Sequence, residues 1–380
     1  MIESLRAIST QMLSLFIVMT GFGLGSYIVQ LRALGEGWSA FDISLIGAFY
    51  SAGYTISSFV TPRFIRVAGH IRVFAAYVAL MSVSILLCAL APAPIAWMAF
   101  RSLFGFAIAG MYMIMESWIN EKSTNEYRGF MFSVYMMVAM AGTIAGPYIA
   151  SLSDIMATTL FMVTSILLTA AVFPIALSSA SSPMAPTAYG FDLGGLWRRS
   201  PVAFVGTFLS GISGAAWLNF SAVYAKMSGL TETGGANLIA ASTLGAIVAQ
   251  FPIGRASDHV DRRLVMVVCC VIGMTASLWM ATLDSRQEYL LYAASFAAGM
   301  VIFPTYSLNV AHANDMAEPG EYVRISSGIT VLYGFGVILG PLLAGQAIAW
   351  MAAPGLPLLL AVTFTVYGIY VAWRIIRRPA

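Results

Sequence analysis

Apolar residues in this chain come in long runs, broken at short intervals by charges, Gly and Pro. The runs fall at about 10–31, 42–62, 73–91, 95–119, 129–150, 155–177, 201–224, 236–253, 264–283, 289–311, 324–349 and 356–375. Each is close to the roughly 20 residues that a helix needs to cross the hydrocarbon layer of a bilayer. The pattern predicts an all-α polytopic membrane protein with twelve transmembrane helices. Twelve is even, so both ends lie on one side.

Composition turns that pattern into an exclusion. Hydrophobic residues make up 59% of the 380 residues and charged ones only 9%, too few to cover a water-facing surface. A soluble enzyme and a disordered chain are both excluded. The net charge of +3 decides little; the placement of Lys and Arg decides more. With the N-terminus inside, 15 of the 19 fall at cytoplasmic positions, Arg32, Lys226 and Arg286 fall outside, and Arg101 lies within helix 4. The positive-inside rule therefore puts both termini in the cytoplasm, and the expected location is the bacterial inner membrane. The start of the chain leads into an apolar run longer than a signal-peptide core, without a small-residue cleavage site, and reads as an uncleaved first helix. Cys88, Cys269 and Cys270 all lie in apolar runs, which suits packing.

The longest polar stretch, Ser178 to Ser200, ends in Trp197-Arg198-Arg199 and reads as a cytoplasmic linker. It divides the chain into six-helix bundles at 1–177 and 201–380. The two halves echo each other. Pro62 to Arg72 matches Gly254 to Leu264 at an offset of 192. Gly105 matches Gly299, and Gly142-xxx-Gly146-Pro147 matches Gly336-xxx-Gly340-Pro341, both at an offset of 194. Glu126-Tyr127-Arg128 matches Glu321-Tyr322-Val323-Arg324 with one residue inserted. Parallel repeats of this kind imply two pseudo-symmetric bundles about an axis along the membrane normal.

These features resemble the major facilitator superfamily over all twelve helices. Its loop signature after helix 2 or 8, G-x-L-x-D-R-x-G-R-R, is similar to Gly254 through Arg263, with Asp258, Arg262 and Arg263 in place. The first copy is degenerate: Pro62 replaces the Gly and Arg66 the Asp, while Gly69 and Arg72 remain. The runs Gly69 to Phe74 and Glu116 to Asn120 resemble the YcaD-like bacterial branch. The resemblance implies a secondary active transporter that moves a small solute by alternating access, not an enzyme. In the family the loop motif acts as a charged latch, which assigns conformational gating to Asp258, Arg262 and Arg263; Arg72 and Arg128 join them as pairing partners for Glu116 in a network that closes the inner gate. Related branches include members assigned to riboflavin and copper uptake, so an importer of copper(I) or a flavin stays open beside the proton-coupled carrier. A non-transporting membrane sensor stays open as well.

Charge inside a membrane is costly and marks function. Helix 4 carries it well inside its span, as Arg101 and Glu116. Fifteen residues set them about 22 Å apart along the axis and about 60° apart around it, so they share a face without touching. Arg101 resembles the family's R-x-x-x-G element, tied to proton-coupled transport, and suits an anionic group of the substrate. Glu116 is the expected proton carrier, with a structural ion pair to Arg72 or Arg128 as the competing reading. The family's cavity is lined by helices 1, 4, 7 and 10. On them Tyr27, Arg101, Tyr112, Met115, Asn219, Tyr306 and Asn309 are the candidate substrate-binding residues, with Pro304 expected to break helix 10. The Gly-xxx-Gly-Pro pair favours close helix packing over an antiporter signature. Ser39 and Asp42 read as a capping box. Met111, Met113, Met115, Met131, Met136, Met137 and Met140 crowd helices 4 and 5 and keep copper(I) in view. His70, His259 and His312 lie in or beside cytoplasmic loops, and no nucleotide or hydrolase motif is present. The partners implied are a small-molecule substrate, protons and the lipid bilayer. No cofactor, resident metal or nucleic acid is expected, and the chain is expected to be a monomer.

Overall fold

The computed structural model describes residues 2–122, 128–177, 193–318 and 322–377, without the side chains of residues 2–8, 121–122, 128–129, 322–324 and 326. The described residues are all-helical: α1 (Ile2–Gly35), α2 (Ala40–Ala68), α3 (His70–Leu90), α4 (Pro94–Lys122), α5 (Arg128–Ala150), α6 (Thr159–Ala170), α7 (Val172–Ala176), α8 (Leu193–Arg199), α9 (Pro201–Met227), α10 (Glu232–His259), α11 (Arg262–Ala281), α12 (Glu288–Ile302), α13 (Pro304–Asp315), α14 (Tyr322–Met351) and α15 (Gly355–Arg377). Among them are 12 helical segments long and apolar enough to cross a membrane, with α6 and α7 forming one and α12 and α13 another. Pro304 opens α13 and ends α12 at Ile302, as a ring without an N–H and with a bulky Cδ requires.

Two boundaries differ from the sequence expectation. Helices α2 and α10 run through Pro62 and Pro252 to Ala68 and His259. The loop motif is therefore mostly helix, and only Val260 and Asp261 separate α10 from α11. A single Pro frees one carbonyl, which a long helix tolerates once its other bonds hold. Between α2 and α3 the reversal is made by Gly69 alone, at φ 78°, a left-handed conformation that favours Gly. Ser39 and Asp42 cap α2 reciprocally: the Asp42 N–H donates to Ser39 Oγ (3.1 Å) and the Ser39 hydroxyl to the Asp42 carboxylate (2.6 Å).

The chain divides into two compact units, residues 1–38 with 49–188, and residues 39–48 with 189–380. In the first, α1 packs on α5. A Cβ on Gly142 or Gly146 would strike the backbone of Phe16 or of Thr20, Gly23 and Leu24. In the second, α9 packs on α14 in the same way, with Gly336 and Gly340 against the carbonyls of Phe208 and Ile212. Both Gly-xxx-Gly stretches thus sit at close helix crossings, where small residues let backbones approach. The residues before α9 also have structure. Helix α8 docks through Leu196, fully buried against Ala203, Ala313, Ile325, Ile329 and Leu332. Residues 178–192 of the expected linker, and Glu126 and Tyr127 of the repeat, lie outside the described residues.

Candidate functional site

The first unit holds a continuous polar and aromatic path across α2, α4 and α5. It begins at Arg101, which is 4% exposed. Its guanidinium carbon lies 4.8 Å from the Tyr50 ring centre and 4.7 Å from that of Phe104. Nη1 has no hydrogen-bond partner, and no carboxylate among the described residues pairs with Arg101. Aromatic faces offset part of the cost of burying the cation, by about 2 kcal/mol each when desolvated. They do not satisfy its N–H groups.

Backbone proximity makes this contact possible. Gly105 on α4 meets the Tyr50 carbonyl, and Gly53 on α2 meets the Ser102 carbonyl, so neither position has room for a Cβ. The second unit repeats the crossing, with Gly299 against Ser242 and Gly245 against Phe296.

From Tyr50 the path continues along α2 to Tyr54, with ring centres 6.5 Å apart. Tyr112 on α4 lies near both Tyr50 and Glu116. Tyr135 on α5 is buried and lies against the Glu116 carboxyl, near Tyr112 and Tyr54. Its hydroxyl makes no hydrogen bond of ordinary geometry. Glu116 is exposed on α4 and forms no ion pair with Arg72, which is also exposed. The side chain of Arg128, the other expected partner, lies outside the described residues. Arg101 and Glu116, too far apart to touch, are thus joined through tyrosines. Tyr50, Tyr54 and Tyr135 were missed from the sequence. The i, i+4 spacing of Tyr50 and Tyr54, continued by Ser57 and Thr61, was the available signal for a polar stripe on α2.

Other candidates are placed differently. Met115 is fully buried, as is Met111, because one residue turns the helix by 100° away from the face of Glu116. Met131 is fully buried too, while Met136 and Met137 are exposed, so the methionines do not share one surface. Tyr27 is buried in α1. In the second unit Asn309 is fully buried and its amide is used internally. It donates to the Thr305 carbonyl (2.8 Å) and to Ser210 Oγ (3.1 Å), and accepts from the Tyr367 hydroxyl (2.6 Å). Asn309 is closed to a solute in this structure, because an amide buried among apolar helices needs partners. Tyr306 packs on Tyr333 at 4.5 Å. Asn219 is half-buried and donates to the Ala215 carbonyl (2.9 Å).

The residues expected to gate from the second unit form a charged cluster where α10, α11 and α13 meet. Arg262 bonds Asp315 (2.5 Å) and Ser257 (2.7 Å), and lies 3.2 Å from Asp258. Arg263 folds back on Asp261 (2.7 Å), the N-cap of α11. That hydrogen bond holds the Asp261 carboxyl below the ordinary carboxylate range.

Among the described residues, twelve membrane-length helical segments, with a polar and aromatic path inside one unit, define a polytopic α-helical membrane protein. The sequence profile of the Major Facilitator Superfamily matches residues 11–236 and 202–380, and the chain belongs to that superfamily. It is 26% identical over 257 residues to the MFS-type transporter YfkF of Bacillus subtilis, covering 66% of this chain and 65% of that one. It is 25% identical over 248 residues to the MFS-type transporter YcaD of Salmonella arizonae, covering 64% and 63%. These matches span just under two thirds of each relative's length. An MFS-type transporter of Yersinia pestis is 24% identical over 307 residues, covering 79% and 78%. Among solved structures, the nucleoside transporter NupG superposes with a TM-score of 0.77 at 15% identity, covering 97% of this chain and 98% of that one. A bacterial homolog of the human lysosomal transporter Spinster superposes with a TM-score of 0.74 at 12% identity, covering 100% and 98%. At such identities the likeness is one of fold.

Proposed function

We propose that the protein is a proton-coupled secondary active transporter that moves a small anionic solute across the bacterial inner membrane by alternating access. It does so as two six-helix bundles, 1–177 and 201–380, joined by a cytoplasmic linker at 178–200, with both termini in the cytoplasm and as a monomer. The observation that carries this reading is Arg101. A buried cation with a donor unmade and no carboxylate beside it is costly to keep. A solute carboxylate or phosphate supplies the missing acceptor, and the charge-assisted bond offsets the burial.

Glu116 is the proton carrier at the other end of the tyrosine path. A carboxyl among three tyrosines has hydroxyl groups to donate to it when ionised and to accept from it when protonated. Tyr54, Tyr112 and Tyr135 position it, and Tyr50 holds Arg101. Asn219 and Tyr306 are the further solute contacts; Tyr27, Met115 and Asn309 serve only in a conformation that uncovers them. Arg72, Arg128, Asp258, Arg262 and Arg263 gate the cycle.

The test uses proteoliposomes loaded with a pH-sensitive dye and challenged with a panel of organic anions. A solute that moves protons with wild-type protein, and not with Glu116→Gln, supports the reading. A solute that accumulates without proton movement overturns the coupling.

A further inference from the structure

The second unit contains a cleft of about 740 Å³, lined by none of the residues of the Arg101 path. Four arginines line it, Arg199, Arg262, Arg263 and Arg374, together with His312 and three aspartates. The inner pair is already used: Arg262 by Asp258 and Asp315, and Arg263 by Asp261. The outer pair differs. Arg199 meets Glu318 at 2.6 Å, with the side chains 36% and 61% exposed, and a pair so open to solvent contributes little. Arg374, in the last turn of α15, forms no ion pair with any described residue.

Two further donors face the same space. Helix α9 begins at the cleft wall with Ser200, Pro201 and Val202. The Ala203 N–H goes to Ser200 Oγ and the Phe204 N–H to the Ser200 carbonyl. Pro201 has no N–H, so the Val202 N–H remains as the free donor of a positive helix end. His312 is 6% exposed, lines the cleft, and makes no hydrogen bond to a described residue. A buried imidazole and an arginine, neither with a hydrogen-bond or ion-pair partner among the described residues, and a helix N-terminus line one cavity and suit a phosphate.

The surroundings distinguish a lipid from a soluble anion. Trp197, beside Arg199, and Trp373, beside Arg374, are 48% and 42% exposed. Arg377 lies 5.0 Å from the Trp373 ring centre. Exposed tryptophans flanked by arginines at helix ends mark the headgroup level of a bilayer. Leu264, in the first turn of α11, and Ile376, in the last turn of α15, add exposed apolar surface.

We propose that this cleft binds the headgroup phosphate of an anionic phospholipid, held by Arg374, Arg199, His312 and the Val202 N–H. Basic pockets between helices on the cytoplasmic side are suited to such lipids. The site tethers the start of α9 to the end of α15.

The test is native mass spectrometry of the delipidated full-length protein titrated with phosphatidylglycerol, phosphatidylcholine or inorganic phosphate. One phosphatidylglycerol per chain is expected to bind about tenfold more tightly than phosphatidylcholine. Arg374→Gln should remove that preference, while Arg374→Lys restores part of it and Arg286→Gln, outside the cleft, leaves it intact. Thermal unfolding without lipid checks that each variant is folded; Arg199→Gln serves if Arg374→Gln is not. Equal affinity for the two lipids, or equal loss in Arg286→Gln, overturns the site. Full displacement of the lipid by millimolar inorganic phosphate overturns the lipid assignment.

Discussion

Tyr50 lies on the guanidinium of Arg101 because Gly105, one helical turn from Arg101, leaves no side chain between α4 and the Tyr50 carbonyl. The ring centre sits 4.8 Å from the guanidinium carbon, and the Tyr50 carbonyl occupies the space that a Cβ at position 105 needs. A backbone contact therefore sets an electrostatic one.

Gly105→Ala should consequently lower stability and loosen Arg101 together. The new methyl meets backbone, which cannot rotate away, so α2 and α4 must separate. Overpacking of this kind costs about 1–3 kcal/mol. Gly299→Ala should cost a similar amount at the equivalent crossing on Ser242. Thermal unfolding in detergent measures both; an unchanged midpoint would show that the crossings yield freely.

Glu116→Gln keeps the shape and hydrogen bonding of the side chain but fixes it neutral. Gradient-driven accumulation should be lost while solute binding and counterflow exchange survive, since exchange needs reorientation but no net proton. Tyr135→Phe, which removes the hydroxyl facing Glu116, should shift the pH profile of accumulation without abolishing it. Normal accumulation by Glu116→Gln removes Glu116 from the coupling.

Arg101→Ala should weaken binding of an anionic solute by about 10- to 100-fold, the equivalent of a charge-assisted hydrogen bond worth about 1.5–3 kcal/mol. Arg101→Lys should recover only part of it, because an ammonium does not reproduce the planar stack between Tyr50 and Phe104. Isothermal titration with the solute found in the dye assay decides this, and unchanged affinity excludes Arg101 from the binding site.

Acid should weaken the start of α11. The Asp261 carboxyl is held low by Arg263, so its protonation is harder folded than unfolded. Its contribution is present above the ordinary carboxylate pKa and is lost as pH falls through the lower folded value. Asp261→Asn should flatten the acid side of the stability profile by that share. An identical acid slope in wild type and variant would show that the N-cap pair contributes nothing.

Topology is testable without a substrate. A Cys introduced within 178–192 should resist an impermeant thiol reagent added outside intact cells, and one replacing Arg286 should react. Labelling of the first without permeabilisation reverses the orientation.

Twelve spans, the family and the internal repeat were legible in the chain itself, because each depends on local quantities. A run of apolar residues of bilayer length has one favourable environment whatever its neighbours do. The Gly-xxx-Gly pairs and the Ser39–Asp42 cap are likewise short-range patterns, and they sit in the structure as helix crossings and a helix start. Helix 4 also announced Arg101 and Glu116, since charge in an apolar run stands out by itself.

What joins those two charges was decided only by tertiary packing. A tyrosine in a membrane helix serves equally as core, interface anchor or relay, and nothing local separates these roles. Tyr50, Tyr54 and Tyr135 became a path because α2 and α5 bring them against α4. Asn309 illustrates the converse: its position on helix 10 suggested a solute contact, but Ser210 and Tyr367, from helices distant in sequence, occupy its amide. Met115 is buried and Glu116 exposed one residue apart, a distinction set by which face of α4 its neighbours cover. Sequence specifies which residues enter the membrane, through hydrophobic length and charge; the partners of a buried polar group come from other helices, so only the packed fold assigns them.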